Sequence, residues 1–317
     1  MFTKAIEVMT EPNYAPENIE VKKIAFFTNP DAAKGRATQA GAEALEEFER
    51  LGLEVESHAP VSKEAGLEEL RNAFDDDSID AVVVCGGDGT VSNGVKVQAT
   101  RKKPLGVIPA GSGNDLARVL GISTDAKEAA RVVAQGKAQH LDLGLITPED
   151  GNELEWFNTI MCAGMDSVIS DYVNKWSWPH GKARYLAAEA YTFLSLKGYP
   201  TKITFEDGSV VEGRYCMCSF GNTAAYGAGM YICPSADPQD GVMDITCVEY
   251  RGKMHLAKLS PKLRPGEHIG EPGVTTYRAK KVRVEIEGAP LYADGDFKAN
   301  SPVTCEIVPG AGRYLVP

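Results

Sequence analysis

Two stretches of this chain repeat one design. In IDAVVVCGGDGT (residues 79–90) a β-branched apolar run stops on glycines and leads into the helical segment VSNGVKVQA; in PLGVIPAGSGND (104–115) a second run turns through Pro, Gly and Ser into DLARVL. A strand that is apolar along its whole length has no face for solvent and must be covered on both sides, as in a parallel sheet with crossover helices. The preceding segments agree. KKIAFFTNP (22–30) reads as a buried strand stopped by Asn-Pro, and Ala37 to Leu51 as a helix whose Ala, Leu and Phe recur at three- and four-residue intervals before Gly52. A strand over Leu53 to Ser57 and a helix over Lys63 to Phe74 follow. Strand and helix alternate through the first 140 residues, which predicts an α/β layer.

After Leu141 the pattern changes. HLDLGLIT, LEWFNTIMCAG, TKITFEDGSVVEGRYCMCSF, GVMDITCVEY, KKVRVEIEG, LYADGDF and VTCEIVP are strand-like and closely spaced, and Asp207-Gly208 is a hairpin signal. One helix, Lys182 to Leu196, interrupts them. A second, mostly antiparallel all-β domain is expected. With 317 residues the chain has room for both. The expected division is an N-terminal extension (1–21), an α/β domain (22–140), a β domain (141–308) and a tail (309–317) whose return to the first domain is left open.

Charge excludes one class of partner. The 33 Lys and Arg against 44 Asp and Glu give −11, which argues against a protein built to grip nucleic acid. No run approaches the ~20 apolar residues of a membrane helix, and the start is too polar for a signal peptide, so a cytoplasmic location is expected. The seven cysteines are odd in number and sit mostly in apolar runs, so they read as reduced core thiols. With no C-x-x-C pair and five scattered histidines, no structural zinc site is expected.

Glycines where a buried strand meets a helix let backbone approach a phosphate, and the helix start adds N–H donors. Gly86-Gly87-Asp88-Gly89-Thr90 fits that use, except that Asp88 would repel phosphate; a Mg²⁺ between the two resolves the conflict. The plainer reading is a tight turn in which Asp88 caps its helix. Pro109-Ala110-Gly111-Ser112-Gly113-Asn114-Asp115 offers the same chemistry from the neighbouring unit, and two such loops at adjacent strand ends form one crevice. Asp142, in LDLG, is either a third carboxylate at that mouth or a turn residue. There is no G-x-x-x-x-G-K-[ST], so this is not a Walker loop.

GGDGT, then PAGSGND, then DLG closely resembles the diacylglycerol kinase catalytic family, which includes sphingosine kinases and bacterial lipid kinases. FGNTAAYGAGMYICPSADPQDGVMDI, LRPGEH, RAKKVRVEIE and ADGDF follow in the family's order, so the likeness runs from about Lys22 to the C-terminus. It is strongest to the soluble bacterial branch. That resemblance implies a Rossmann-like nucleotide domain, a β-sandwich, an active site in the interdomain cleft, ATP as donor and Mg²⁺. Asn29, Pro30, Asp31, Ala32 and Ala33 match the family's first nucleotide loop, with Lys34 as its basic residue. Gly86, Gly87, Asp88, Gly89, Thr90, Val91, Ser92 and Asn93 match the second loop, and Gly111 and Ser112 add further contacts. Asp88, Asp115 and Asp142 match aspartates around the catalytic magnesium, while Asp237, Asp240 and the Val242 backbone match a structural Mg²⁺ site. The general base falls on Asp296.

Two departures stand out. Asp296 is one methylene shorter than the family's usual Glu, with Asp294 a competitor and a plain hairpin aspartate the alternative. The first loop, NPDAAKG, lacks the Ser-Gly pair usual after Asn-Pro. The expected activity is phosphorylation of diacylglycerol or a related lipid alcohol at a membrane surface, by peripheral association, with a homodimer left open. A nucleotide-binding regulator without catalysis and an NAD kinase are the alternatives. The aromatics Trp156, Phe157, Trp176, Trp178, Tyr185 and Tyr191 line a lipid pocket or belong to the core, and Trp176 to Pro179 is a candidate pocket wall. Arg251, Lys253, Lys258, Lys262 and Arg264 form an acid-free stretch, with Arg278, Lys280, Lys281 and Arg283 soon after. It is either a cationic membrane edge or a solvated basic face.

Overall fold

The computed structural model describes residues 13–28, 36–179 and 182–317. They form two compact units, Met1–Leu143 with Val308–Pro317, and Gly144–Ile307. The first contains β1 (Glu17–Asn18), β2 (Lys23–Thr28), α1 (Arg36–Arg50), β3 (Glu54–His58), α2 (Lys63–Asp75), β4 (Ala81–Gly86), α3 (Asp88–Gln98), β5 (Leu105–Pro109), α4 (Asp115–Val119), α5 (Ala126–Gln135) and the start of β6 (Lys137–Pro148). Strands run parallel in the order β3-β2-β4-β5. Every residue of β4 and β5 is buried, which is why both read as unbroken apolar runs. In the returning C-terminal segment, Tyr314 pairs in parallel with Leu105 at the β5 edge.

The helices follow from their apolar stripes. On α1, Ala37, Gly41, Ala44 and Phe48 are buried at three- and four-residue spacing, and Phe48 meets Phe26 of β2 edge-on with centroids 5.4 Å apart. Ser62 caps α2 through Ala65 N–H at 3.1 Å, and Asp125 caps α5 through Glu128 N–H at 2.9 Å. α5 packs on α1, and the sequence reading does not single it out.

One ion cluster ties these two helices. Glu47 of α1, 2% exposed, accepts from Arg50 at 2.7 and 2.8 Å and from Arg131 of α5 at 2.7 Å. The Arg50 hydrogen bond, with help from Arg131, pulls its carboxyl from 4.5 to about 2. The folded state therefore binds this proton less readily than the unfolded chain, so the stabilisation is full above pH 4.5 and is lost as pH falls through about 2. Glu47→Gln is expected to lower the thermal midpoint at pH 7, with the gap to the parent closing across that acid window. A gap unchanged between neutral pH and pH 2 would refute the assignment.

The second unit holds the end of β6, then β7 (Glu155–Phe157), β8 (Ile160–Gly164), α6 (Met165–Lys175), α7 (Lys182–Leu194), β9 (Tyr199–Phe205), β10 (Val210–Gly221), β11 (Met243–Glu249), α8 (Lys253–Leu263), β12 (Val274–Ala279), β13 (Lys281–Ile286), β14 (Leu291–Ala293), β15 (Asp296–Ala299) and the start of β16 (Val303–Leu315). It is an antiparallel β-sandwich. β10 serves two neighbourhoods, pairing β9 over Val210–Tyr215 and then β8 and β11 over its second half. The β9–β10 hairpin turns at Asp207-Gly208, as read from the sequence. Inward side chains including Phe157, Met161, Ile203, Phe220, Ile245, Val284 and Leu291 make the main core. A second core forms where Leu256, Leu259 and Leu263 of α8 cover Met217 and Val248. Three helices interrupt the strands among the described residues, where the sequence reading expected one, and LEWFNTIMCAG breaks at Asn158-Thr159 into β7 and β8. All seven cysteines are free and buried.

Candidate active site

Gly86 ends β4 and Gly87 is the N-cap of α3, so the GGDGT glycines sit at the carboxyl end of a buried parallel strand. The second loop leaves β5 beside it and is held there by Ala110 N–H on Gly86 carbonyl at 2.8 Å. A Cβ on Gly111 would lie 2.6 Å from Gly87 Cα, so the two loops touch backbone to backbone and Gly111 has no room for a side chain. Asn114, at φ 52°, closes its own loop by accepting from Gly111 N–H at 2.8 Å and donating back to Gly111 carbonyl at 3.1 Å.

Asp88 joins the loops. Its carboxylate accepts Asn114 N–H at 3.1 Å and Asp115 N–H at 2.8 Å, so it caps α4 of the neighbouring unit. It makes no cap for α3, of which it is the first residue. A Cβ on Gly113 would stand 2.5 Å from Asp88 Oδ2 and 3.6 Å from Asp115 Oδ2, which places both carboxylates against that glycine. Asp115 also pairs with Arg118 at 2.7 Å. Gly89 and Ser112 are exposed and Gly87, Thr90, Asn93 and Gly111 half-buried, so they form an open rim; Val91 and Ser92 are buried and face the core.

Asp142 is 1% exposed on β6, where it accepts Gly310 N–H at 2.8 Å and the Tyr14 hydroxyl. Among the described residues no group of three or more His, Cys, Asp or Glu could hold a metal ion, so Asp88, Asp115 and Asp142 do not form a three-carboxylate cage. One or two carboxylates beside phosphate oxygens and water are a sufficient set for Mg²⁺, and Asp88 with Asp115 fits that need. The first-loop residues Asn29, Pro30, Asp31, Ala32, Ala33 and Lys34 lie outside the described residues.

Asp237 and Asp240, at the second expected Mg²⁺ position, are engaged by neighbouring donors. Asp237 accepts Gln239 N–H at 3.0 Å, and Asp240 accepts Val242 N–H at 3.1 Å and pairs with Arg278, which also reaches Asp244 at 3.2 Å.

In the second unit, Ala293 pairs with Asp296 across a two-residue turn whose Asp294 and Gly295 both have positive φ, 53° and 82°. Asp294 turns back onto the β7–β8 break. It accepts Asn158 N–H at 2.8 Å, Asn158 Nδ2 at 2.9 Å, Thr159 N–H at 3.1 Å and Thr159 Oγ1 at 2.6 Å. Burial pushes its carboxyl up, opposed by Lys298 and by these hydrogen bonds. Asn158 and Thr159, which sequence reasoning missed, are each 3% exposed, and Asn222 Nδ2 donates to Asn158 carbonyl at 2.9 Å. Asp294 is thus spent on holding the hairpin, and half-buried Asp296 opens β15 beyond it. Asp294→Ala would strand four donors, so a loss of about 3 kcal/mol in urea unfolding is expected. An unchanged unfolding midpoint would show that the turn stands without the network.

The family model for the diacylglycerol kinase catalytic domain matches residues 23–146, and that for the YegS C-terminal NAD kinase beta sandwich-like domain matches 159–316. The diacylglycerol kinase of Mycobacterium tuberculosis (strain CDC 1551 / Oshkosh) is 37% identical over 299 residues, 94% of this chain and 96% of that one. This chain belongs to the diacylglycerol kinase family. It is a kinase. The Bacillus subtilis (strain 168) diacylglycerol kinase is 26% identical over 89% of this chain and 92% of its own length. A crystal structure of a diacylglycerol kinase from Bacillus anthracis str. Sterne superimposes with a TM-score of 0.76 at 20% identity, covering 94% of this kinase and 98% of that chain, a likeness of fold. No helix among the described residues is long and apolar enough to cross a membrane.

Proposed function

We propose that this kinase transfers the γ-phosphate of ATP to the hydroxyl of diacylglycerol or a related lipid alcohol. The observation that carries the reading is the 37% identity to a diacylglycerol kinase across nearly the whole chain. Asp88 supports it by locking two glycine loops into one rim. Gly86 to Thr90, Gly111 and Ser112 line the nucleotide phosphates, which backbone N–H groups of the Gly87–Gly89 turn and Ser112 would bind, and Asp88 and Asp115 would hold the metal. Mg²⁺, when bound, neutralises charge on the transferring phosphoryl group. Asp296 takes the proton of the acceptor hydroxyl while that oxygen forms its bond to the γ-phosphorus and the bond to the ADP oxygen breaks. Positioning and charge stabilisation do most of this work, so no covalent intermediate on the protein is required.

The test is a mass-spectrometric screen of lipid alcohols with ATP and Mg²⁺, with NAD as a control acceptor. A phosphorylated diacylglycerol or analogue is the expected product. Absence of magnesium-dependent ATP turnover on every lipid would sink the reading, and phosphorylation of NAD alone would replace it.

A further inference from the structure

A membrane-bound acceptor must be met at a surface, and one face of the second unit is unlike the rest of this acidic protein. On α7, Tyr185, Leu186, Tyr191 and Leu194 are 52%, 65%, 51% and 71% exposed, and Trp178 just before it is 77% exposed. Leu186, Ala190 and Leu194 recur every fourth residue, so they share one side of the helix, where the apolar residues of a solvated helix do not belong. The patch is rigidly mounted. Trp176 stacks on Tyr172 of α6 at 5.3 Å, and Tyr191 meets both rings edge-on.

Cations border this patch. Lys253 at the start of α8 donates to the Leu194 carbonyl, and its neighbour Met254 is 74% exposed. α8 has no acidic residue, and Lys253 and Lys258 are exposed on it. Arg251 and Lys262 of this stretch, like Arg278, Lys281 and Arg283 of the later one, are each paired with carboxylates. Hence the cationic edge narrows to Lys253 and Lys258. Next to the apolar face, a hollow of about 480 Å³ is lined by Lys175, Trp176, Trp178 and Ala187. A second, of about 700 Å³, shares Lys175 and runs past Tyr292 to Phe297, the neighbour of Asp296.

We infer that the α7 face with Trp178 and Met254, bordered by Lys253 and Lys258, docks this kinase on an anionic lipid bilayer. Aromatic and leucine side chains enter the interface while the lysines meet the headgroups, with Glu189 the one exposed acid on α7. The inference rests on the lipid-kinase reading for its purpose, not for its physics.

Its test is vesicle cosedimentation of the full chain, on phosphatidylcholine alone and with added phosphatidylglycerol. Leu186→Glu with Leu194→Glu should weaken binding to both vesicles by about tenfold or more. Lys253→Glu with Lys258→Glu should weaken binding only to the anionic vesicles and flatten its salt dependence. All four sites are exposed, so the thermal midpoint and turnover of a monomeric short-chain diacylglycerol should stay at parent values. Wild-type protein that ignores anionic vesicles, or variants that bind them like the parent, would overturn the inference. So would variants that only change the sedimentation coefficient, which would give the face to a second copy. Lost vesicle binding in a protein that phosphorylates no lipid would leave the docking face standing and remove the kinase reading alone.

Discussion

Asp296→Asn lowers kcat on a lipid alcohol by about 10²–10⁴-fold, the usual contribution of a positioned general base, with the KM for ATP and the thermal midpoint unchanged. The chemical reason is that an amide cannot take the hydroxyl proton. Its neighbour Asp294 is a poorer candidate because it already accepts four hydrogen bonds from Asn158 and Thr159. Asp296→Glu keeps a carboxylate and should retain most of the rate. A structural role would instead lower the thermal midpoint along with the rate, and the Glu variant would not rescue it. Full activity in Asp296→Asn would end the assignment.

Much of the first unit was legible because its signals are local. β4 and β5 are buried on both faces, so composition alone marks them, and α1 shows its buried stripe at helical spacing. The second unit hid two helices. α6 follows β8 directly, the only punctuation being Gly164 at φ 121° as the strand's last residue, so strand and helix read as one segment. α8 contains Pro261 and a run of lysines, which look like a loop until Leu256, Leu259 and Leu263 are seen in the second core.

Site roles were legible as residue types and opaque as partnerships. The alternation Asp294, Gly295, Asp296 announces a hairpin, but nothing near it in sequence names Asn158 and Thr159, which sit 136 and 135 positions from Asp294. Likewise nothing near Asp240 in sequence names its partner Arg278, 38 positions later. Asp142 could be placed at a turn or a metal; its contacts with Tyr14 and Gly310 come from the two ends of the chain. Electrostatics of this kind is set by what the fold brings together, which pattern reading does not reach.

Asp88 carries the second large effect, because one carboxylate serves two purposes. As a cap it satisfies Asn114 and Asp115 N–H groups, and Asn can satisfy only one of them while turning its own NH₂ toward the other. That half of the loss should be modest, about 1–2 kcal/mol, seen as a few degrees in thermal midpoint. The catalytic half should be much larger. With the negative charge facing the metal-bound phosphates removed, kcat for Asp88→Asn should fall by at least about 10²-fold, and the Mg²⁺ concentration giving half-maximal rate should rise. The two halves separate by experiment. Asn114→Ala opens the same loop without touching Asp88, so it should lower the thermal midpoint and leave the Mg²⁺ dependence where it was. If Asp88→Asn and Asn114→Ala behave alike, with small rate losses that track stability, Asp88 is a cap and no more, and the metal must be sought at other carboxylates.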